Sequence, residues 1–267
     1  MVADLHVHTN ASDGVLDVKD LFDLASQKGL WGLSLTDHDT LEAYREAFFL
    51  AEKKNIILGT GVELSCEYKK ASVHVLGYDF RLDAPCLQEL CIRRKQERKE
   101  RNKQIILQLQ KKGIKIEEEE LPNIEGQTVG RVHIAQLLVK KQVVSSTKEA
   151  FQLYLADGKS CYVPGTLLSV KEAIDAIKKA QGKPFLAHPH LLDKNIDIHR
   201  LLEEGFMGIE ALYSGLEGKK RIRLEKIALK KKLLISGGSD FHGGSVRPHA
   251  QLGQVGVSEE QFGKIFE

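Results

Sequence analysis

Two histidines near the start of the chain have types and spacing that suit metal binding. His6 and His8 alternate with the apolar residues Leu5 and Val7. This is the period-two pattern of a β-strand, so both imidazoles point to one face. Neutral imidazole is the commonest metal ligand in proteins. The pair alone fits two surface histidines equally well, and residues further along the chain decide between these interpretations.

Further metal-ligand residues lie at or close to the ends of short apolar runs. They are Asp13, His38, Glu63, His74, His188, Asp240 and His242. Buried carboxylates and imidazoles are costly unless something pairs them, and metal ions do so. Nitrogen and oxygen ligands without thiolates favour Zn²⁺, Mn²⁺ or Fe²⁺. With His6 and His8 the set has nine donors, more than one ion can use, so the sequence predicts two or three divalent metal ions.

The elements that must position these residues follow an alternating pattern. The predicted strands are Ala3–His8, Gly32–Thr36, Ile56–Glu63, Val73–Tyr78, Pro184–His188, Gly208–Leu212 and Leu233–Gly237. The predicted helices are Asp17–Lys28, Thr40–Asn55, Ser169–Gln181, Ile198–Glu204 and Glu217–Lys231, with Asp17 and Ser169 as N-caps. Such alternation favours βα units around a mostly parallel sheet, and seven strands favour a closed barrel. The carboxyl ends of barrel strands gather functional groups in one cleft, although His74 lies near the start of its predicted strand.

The alternation stops between residues 83 and 164. We predict a helical insertion there that caps the site, and a discontinuous α/β barrel made of residues 1–82 and 165–267. Arg93–Lys103 holds seven basic and two acidic side chains in eleven positions. A run of this kind is typical of a solvated helix face, and a contact with phosphate or RNA is the alternative.

Composition narrows the functional classes. The 267 residues carry 39 basic and 37 acidic side chains, a formal net charge of +2. That balance gives no global field for a polyanion, so we expect no stable long nucleic-acid partner. The sequence shows neither a C-x-x-C pair nor a signal-peptide pattern, and it has no apolar run of membrane-spanning length, which predicts a cytoplasmic protein without a membrane partner. Composition leaves the oligomeric state open.

The ordered motifs resemble those of the PHP (polymerase and histidinol phosphatase) family of metal-dependent phosphoesterases. They are Asp4-Leu5-His6-Val7-His8-Thr9, Ser12-Asp13-Gly14, Thr36-Asp37-His38-Asp39, Glu63, His74, His188-Pro189 and Ser239-Asp240-Phe241-His242. Gly130–Ala135 is similar to a segment of the subgroup that contains nucleotide phosphatases and RNA exonucleases, with Val132 in place of a proline.

The resemblance implies a distorted (β/α)7 TIM-like barrel with a trinuclear site. The first metal would be held by His6, His8, Glu63 and Asp240. Glu63 would bridge to a second metal held by His74 and His188. The third would be held by Asp13, His38 and His242, and Asp37 would orient the His38 ring without binding metal itself.

The predicted activity is metal-dependent hydrolysis of phosphate esters in nucleotides or short oligoribonucleotides. The enzyme would remove the 3′-phosphate of 3′,5′-nucleoside bisphosphates, degrade RNA from its 5′ end, or do both, with a metal-activated hydroxide as nucleophile. Arg131 and His133 are candidates for gripping a substrate phosphate, and His190 for donating a proton. A surface ion pair for Arg131 and a solvated loop position for His190 are the alternatives. The alternative activities are a histidinol-phosphatase-type monoesterase and an amidohydrolase-type C–N hydrolase.

Overall fold

The computed structural model describes residues 2–122, 127–166, 168–244, 246 and 249–267. Within these ranges the strands are β1 Ala3–Val7, β2 Gly32–Leu35, β3 Ile57–Gly59, β4 Gly61–Tyr68, β5 Ala71–Tyr78, β6 Leu168–Ser169, β7 Lys183–Leu186, β8 Gly208–Tyr213 and β9 Leu234–Gly238. The helices are α1 Val18–Gln27, α2 Tyr44–Lys54, α3 Pro85–Lys111, α4 Arg131–Lys140, α5 Thr147–Ala150, α6 Val170–Lys179, α7 Ile198–Leu201, α8 Gly218–Lys231 and α9 Glu259–Phe266. A π-helical turn, Phe151–Leu155, continues α5, and short 3-10 turns include Pro189–Leu191.

The strands form two sheets, which confirms the predicted α/β class. In the first sheet β1, β2 and β3 are parallel. The second has the order β6-β4-β5-β7-β8-β9, and β5 runs antiparallel to both of its neighbours. Single backbone bridges, Val7 to Phe241 and His38 to Glu63, join residues at the ends of the two sheets.

The predicted strand Ile56–Glu63 is two strands, β3 and β4, interrupted at Thr60. The hydroxyl of Tyr44 stabilises the interruption. It donates a hydrogen bond to the carbonyl of Gly59 at 3.1 Å and accepts one from the amide of Gly61 at 2.6 Å. The backbone therefore changes partner at this point, and β4 pairs with β5 instead of continuing the first sheet.

The direction of β5 explains the position of His74. Because β5 is antiparallel to β7, its amino-terminal half lies beside the carboxyl end of β7. The amide of Ala187 donates a hydrogen bond to the carbonyl of His74 at 3.1 Å. His74 thus reaches the same end of the sheet as His188, although it lies in the first half of its own strand.

Both predicted N-caps that begin βα helices are confirmed. The Asp17 side chain accepts a hydrogen bond from the amide of Asp20 at the start of α1. Ser169 forms a capping box with Glu172 at the start of α6. These caps fix where each helix begins after its strand.

Separate hydrophobic clusters lie on the two sheets and within residues 105–163. One cluster packs the second sheet against α6 and α8, and another packs the first sheet against α1 and α2. A third contains Ile105, Leu109 and Leu138. The long helix α3 contributes Leu87 and Leu90 to the first of these clusters and its carboxyl-terminal half to the third. The division into domains at 83–164 stays a prediction.

In the described part of the chain, no helix is both long and apolar enough to span a membrane.

Candidate metal centre

The buried carboxylate of Glu63 lies at the centre of a group of imidazoles. Its Oε1 is 2.8 Å from His74 Nδ1 and 2.9 Å from His188 Nε2. Three further ring nitrogens lie close to Oε2: His6 Nε2 at 3.2 Å, His8 Nε2 at 3.2 Å and His38 Nδ1 at 3.3 Å. Burial opposes ionisation, but the surrounding histidines hold the pKa of Glu63 well below its usual range. The residue is therefore an anion at neutral pH.

Two aspartates complete the cluster on its other side. Asp13 Oδ1 lies 3.2 Å from His242 Nε2 and 3.7 Å from His8 Nδ1. Asp240 Oδ1 lies 3.3 Å from His8 Nε2 and 3.3 Å from His242 Nδ1. Burial again opposes ionisation, yet the histidines around Asp13 hold its pKa well below the usual range.

The structure brings all nine predicted donors into one cleft. Their ligand atoms form three groups within which all atoms lie inside 4.8 Å of one another. These groups are His6, His8 and Asp240; His8, Asp13, His38 and His242; and His38, Glu63 and His74. The groups share members, as expected for neighbouring ions. His188 joins them through Glu63.

The protonation states and unpaired atoms of the cluster fit divalent metal ions. Both ring nitrogens of His8 and Nδ1 of His38 are buried without a hydrogen-bond partner. Burial lowers the pKa of His8 to about 4 and that of His38 to about 3, so both rings are neutral at pH 7. Neutral rings with free lone pairs beside ionised carboxylates are the state that metal binding requires. The donors are nitrogen and oxygen, which suits Mn²⁺, Zn²⁺ or Fe²⁺.

Backbone pairing between β1 and the segment after β9 sets the positions of four candidate ligands. The amide of Asp240 donates to the carbonyl of His6 at 2.8 Å, and the amide of His8 donates to the carbonyl of Phe241 at 2.9 Å. Gly238 permits this approach, because a Cβ there would lie 2.3 Å from the amide nitrogen of His6. The ligand pairs at the two ends of the chain therefore lie side by side.

Two ligands have a backbone conformation that is costly for their residue type. The φ angles are +24° at His188 and +55° at Asp240. Non-glycine residues rarely adopt positive φ, and such strain collects at functional sites.

Glu210 is a site residue that sequence reasoning missed. It is fully buried on β8, accepts a hydrogen bond from His6 Nδ1 at 2.8 Å and another from the His188 amide at 2.7 Å. Burial alone would lower the pKa of His6, but Glu210 and Glu63 together raise it to about 10. The carboxylate on Nδ1 orients the ring so that Nε2 faces the cluster. A single carboxylate inside the apolar strand Gly208–Tyr213 was the available signal.

The predicted proton donor His190 lies beside Tyr213. The two rings are 4.5 Å apart, and the Tyr213 hydroxyl donates to Asp240 Oδ2 at 2.6 Å. Burial, with His188 and Lys220 nearby, lowers the pKa of His190 to about 4. The ring is then neutral at pH 7, which does not favour proton donation by an imidazolium. Its role stays a prediction.

Asp37 holds the loop that carries Asp13. It accepts hydrogen bonds from the amide of Thr9 at 2.8 Å, the hydroxyl of Thr9 at 2.7 Å and the hydroxyl of Ser12 at 2.5 Å. Within the part of the chain that the structure describes, the side-chain hydrogen bonds of Asp37 go to this loop and not to the His38 ring, which we expected Asp37 to orient.

Residues 83–164 approach the candidate metal centre through α3, α4 and the segment before α4. The amide of Thr128 donates to the carbonyl of Ala11, two residues before Asp13, at 2.7 Å. His133 is buried on α4, and its Nδ1 accepts from the Gly130 amide at 3.0 Å. Arg131 donates to the Leu155 carbonyl at 3.1 Å. The Arg131 side chain also lies over the rings of Phe151 and Tyr162, and both of its predicted roles stay predictions.

The charge run in α3 agrees only in part with the expected solvated face, because Arg93 and Lys99 are exposed but three arginines are not. Arg94, Arg98 and Arg101 recur at helical spacing and turn inward. Arg98 donates to Asp39 Oδ2 at 2.8 Å and to Ser65 Oγ at 2.9 Å. Ser65 is paired across the sheet with His74. Arg98 is thus a second residue near the site that sequence reasoning did not identify, because its partners lie about thirty and sixty residues away.

Comparisons with known proteins agree with this geometry. The PHP domain family model matches residues 4–159. A protein of Haemophilus influenzae described as a 5′-3′ exoribonuclease is 34% identical over 246 residues, covering 90% of this chain and 89% of that protein. A 3′,5′-nucleoside bisphosphate phosphatase of Chromobacterium violaceum is 30% identical over 252 residues, covering 90% and 86%. A solved structure from Bifidobacterium adolescentis, provisionally described as a metal-dependent phosphoesterase, has a TM-score of 0.85 at 27% identity and covers 98% of this chain and 94% of its own. This chain therefore belongs to the PHP domain family of metal-dependent phosphoesterases.

Proposed function

We propose that the enzyme hydrolyses phosphate esters of nucleotides or short 5′-phosphorylated RNA, using two or three divalent metal ions. The observation that carries the proposal is a group of partly buried arginines beside the metal centre, Arg98, Arg101 and Arg131, which we call the arginine cluster. The names of the Haemophilus influenzae and Chromobacterium violaceum relatives support the same substrate class.

The arginine cluster has the electrostatic character of an anion site. Burial and the charges of Arg98 and Arg131 lower the pKa of Arg101 to about 9. Arg101 Nε is buried without a hydrogen-bond partner. Guanidinium groups recognise phosphate through paired N–H donors. A substrate with two phosphates would place one at the metal centre and the other at this cluster.

Different residues of the chain would contribute to catalysis in different ways. When bound, the metal ions supply positive charge for the phosphoryl oxygens and activate the attacking water. His6 is oriented by Glu210, and Asp13 is held in place through the loop that Asp37 binds. Arg131 and His133 lie in the first turn of α4 and would hold the substrate phosphate. Positioning and charge neutralisation of this kind are what phosphoryl transfer needs from a protein.

The proposal also covers how the two sheets and residues 83–164 are arranged around the metal centre. We infer that the two sheets form one distorted (β/α)7 barrel and that residues 83–164 cap its site. The bridges Val7 to Phe241 and His38 to Glu63 support closure of the sheets. The hydrophobic cluster within residues 105–163 supports a cap with its own core.

The test is a substrate panel with enzyme reconstituted in Mn²⁺: 3′,5′-bisphosphoadenosine, short 5′-phosphorylated RNA, histidinol phosphate and a hydantoin-type amide. We expect turnover of the first two and its loss on exhaustive chelation. An Arg101→Gln variant should raise KM for the bisphosphate about tenfold or more, because a charged hydrogen bond contributes about 1.5–3 kcal/mol. The same variant should leave KM for adenosine 3′-monophosphate, which lacks the second phosphate, nearly unchanged. Turnover of the amide alone, or activity that survives chelation in folded enzyme, would contradict the proposal.

A further inference from the structure

Helix α8 carries a row of cationic side chains over a groove. The helix has seven basic residues and one acidic residue among its fourteen. Four of the basic residues are spaced four, three and four positions apart, which places them on one helix face. They line a groove of about 460 Å³ together with His199, Ile222 and Ile227, and they are Lys219, Arg223, Lys226 and Lys230. We call these four residues the basic row.

Unlike Arg221 and Lys231 on the same helix, the basic row has no counter-charges within the part of the chain that the structure describes. Arg221 pairs with Glu225 at 2.9 Å, and Lys231 pairs with Glu203 at 3.3 Å. Among the residues that the structure describes, no member of the row has an ion-pair partner within 4 Å. All four are exposed. The row therefore forms a local positive field on a chain whose net charge is only +2.

The groove begins at the same end of the fold as the metal centre. Helix α8 follows β8, whose last residue, Tyr213, hydrogen-bonds Asp240. The Tyr213 ring contacts the His190 ring, and Lys220 in the first turn of α8 is near enough to act electrostatically on His190. From Lys219 to Lys230 the row extends about 16 Å along the helix axis, at 1.5 Å per residue, away from that end.

We propose that the basic row binds the backbone phosphates of a single-stranded RNA whose 5′ end lies in the metal centre. The inference rests on the proposed function, and it extends the substrate beyond the short oligomers that the overall charge favours. A line of cations in a concave groove matches a linear polyanion better than it matches a flat lipid surface. The described lining residues include no phenylalanine, tyrosine or tryptophan, so recognition there would rest on charge without base stacking.

Binding can be measured separately from hydrolysis. The probe is a fluorescent single-stranded RNA of about sixteen nucleotides with a 5′-hydroxyl, within the range that single-strand sites cover. One variant neutralises the row with Lys219→Gln, Arg223→Gln, Lys226→Gln and Lys230→Gln. The matched control neutralises four exposed lysines elsewhere with Lys28→Gln, Lys53→Gln, Lys112→Gln and Lys179→Gln. Both variants lose the same net charge.

We expect fluorescence anisotropy to show at least tenfold weaker binding for the row variant and little change for the control. The salt dependence should also weaken, by about three units of slope for four contacts at about 0.7 per phosphate. For 5′-phosphorylated RNA of the same length, KM should rise in the row variant, while kcat/KM for a 5′-phosphorylated dinucleotide stays constant.

Equal Kd values for the two variants, or a salt slope unchanged in the row variant, would overturn the inference. The inference would also be overturned if neutralising the row weakened binding to anionic lipid vesicles but did not weaken binding to RNA. If the wild-type enzyme hydrolyses no RNA, the proposed exonuclease activity fails, and the anisotropy comparison still decides whether the groove binds RNA. Thermal unfolding of both variants checks that these exposed substitutions leave the fold intact.

Discussion

His6 lies between two carboxylates, one on each ring nitrogen. Glu210 accepts a hydrogen bond from Nδ1, and Glu63 is 3.2 Å from Nε2. Because these anions raise the pKa of His6 to about 10, the ring is protonated at neutral pH before any ion binds. Metal binding at Nε2 must displace that proton, whereas the Nδ1 proton remains with Glu210.

A Glu210→Gln variant should release fewer protons on metal loading at pH 7. The glutamine removes the charge that contributes most to the raised pKa of His6, so more of the rings are already neutral. Loss of a carboxylate that orients a ligand should also weaken metal affinity about 10- to 100-fold. Calorimetric titration with Mn²⁺ in two buffers of different ionisation enthalpy measures both quantities. Glu217→Gln, at an exposed position, is the control, and equal proton release in the two variants would contradict the assignment.

At the scale of elements, α3 is attached to the catalytic end of the fold by a buried ion pair. Arg98 on α3 meets Asp39, which follows His38 and is fully buried with φ at +54°. Asp39 also accepts a hydrogen bond from the Ser65 amide at 3.0 Å. The pair therefore joins the helix, β4 and a ligand-bearing loop. Removing one partner of such a pair leaves an uncompensated charge in the interior.

An Asp39→Asn variant should lose about 3–5 kcal/mol of unfolding free energy at neutral pH. Burial would raise the pKa of Asp39, but Arg98 and Arg94 lower it below its ordinary value of 3.8. The stabilisation is therefore present above that value and is lost as pH falls through the lowered pKa, where the variant and wild type should converge. Denaturant unfolding of metal-free protein between pH 2 and 7, about the range of these titrations, tests this.

The control for this prediction is Asp83→Asn, which removes an exposed partner of Arg81. Exposed ion pairs contribute little, so its stability should follow that of the wild type. A loss as large as that of Asp39→Asn would show that the effect does not depend on burial.

At the scale of the whole molecule, the candidate metal ligands span the chain from His6 to His242. Only the folded chain brings them together, so ions that bind the native state should stabilise it by mass action. At 100 times Kd, one ion should add about 2.7 kcal/mol. Differential scanning calorimetry with Mn²⁺ and then chelator should show a reversible shift in Tm. His242→Gln should reduce the shift and His249→Gln, at an exposed position, should not; an equal shift in both would contradict the ligand assignment.

The sequence could predict the family, the α/β class and the gathering of the donors, and the comparisons confirm the first two. These features depend on local signals, such as the caps at Asp17 and Ser169 and the strand-end positions of His6 and His188. The antiparallel orientation of β5, the strand that carries His74, could not be predicted, because strand direction is set by partners distant in sequence. Glu210 and Arg98 were missed for the same reason: their burial makes sense only beside His6 and Asp39.

The shared helix α3 has a consequence for how this enzyme can diversify. One half of the helix packs into the hydrophobic cluster on the second sheet, and the other half packs into the cluster within residues 105–163. If residues 83–164 are exchanged between relatives, in evolution or by engineering, a junction inside α3 would expose both cores. A successful graft must begin near Pro85 and preserve Leu87, Leu90 and Arg98 on their original face. New substrate specificity can then arise in the outer half of the helix while the inner half keeps the register on which catalysis depends.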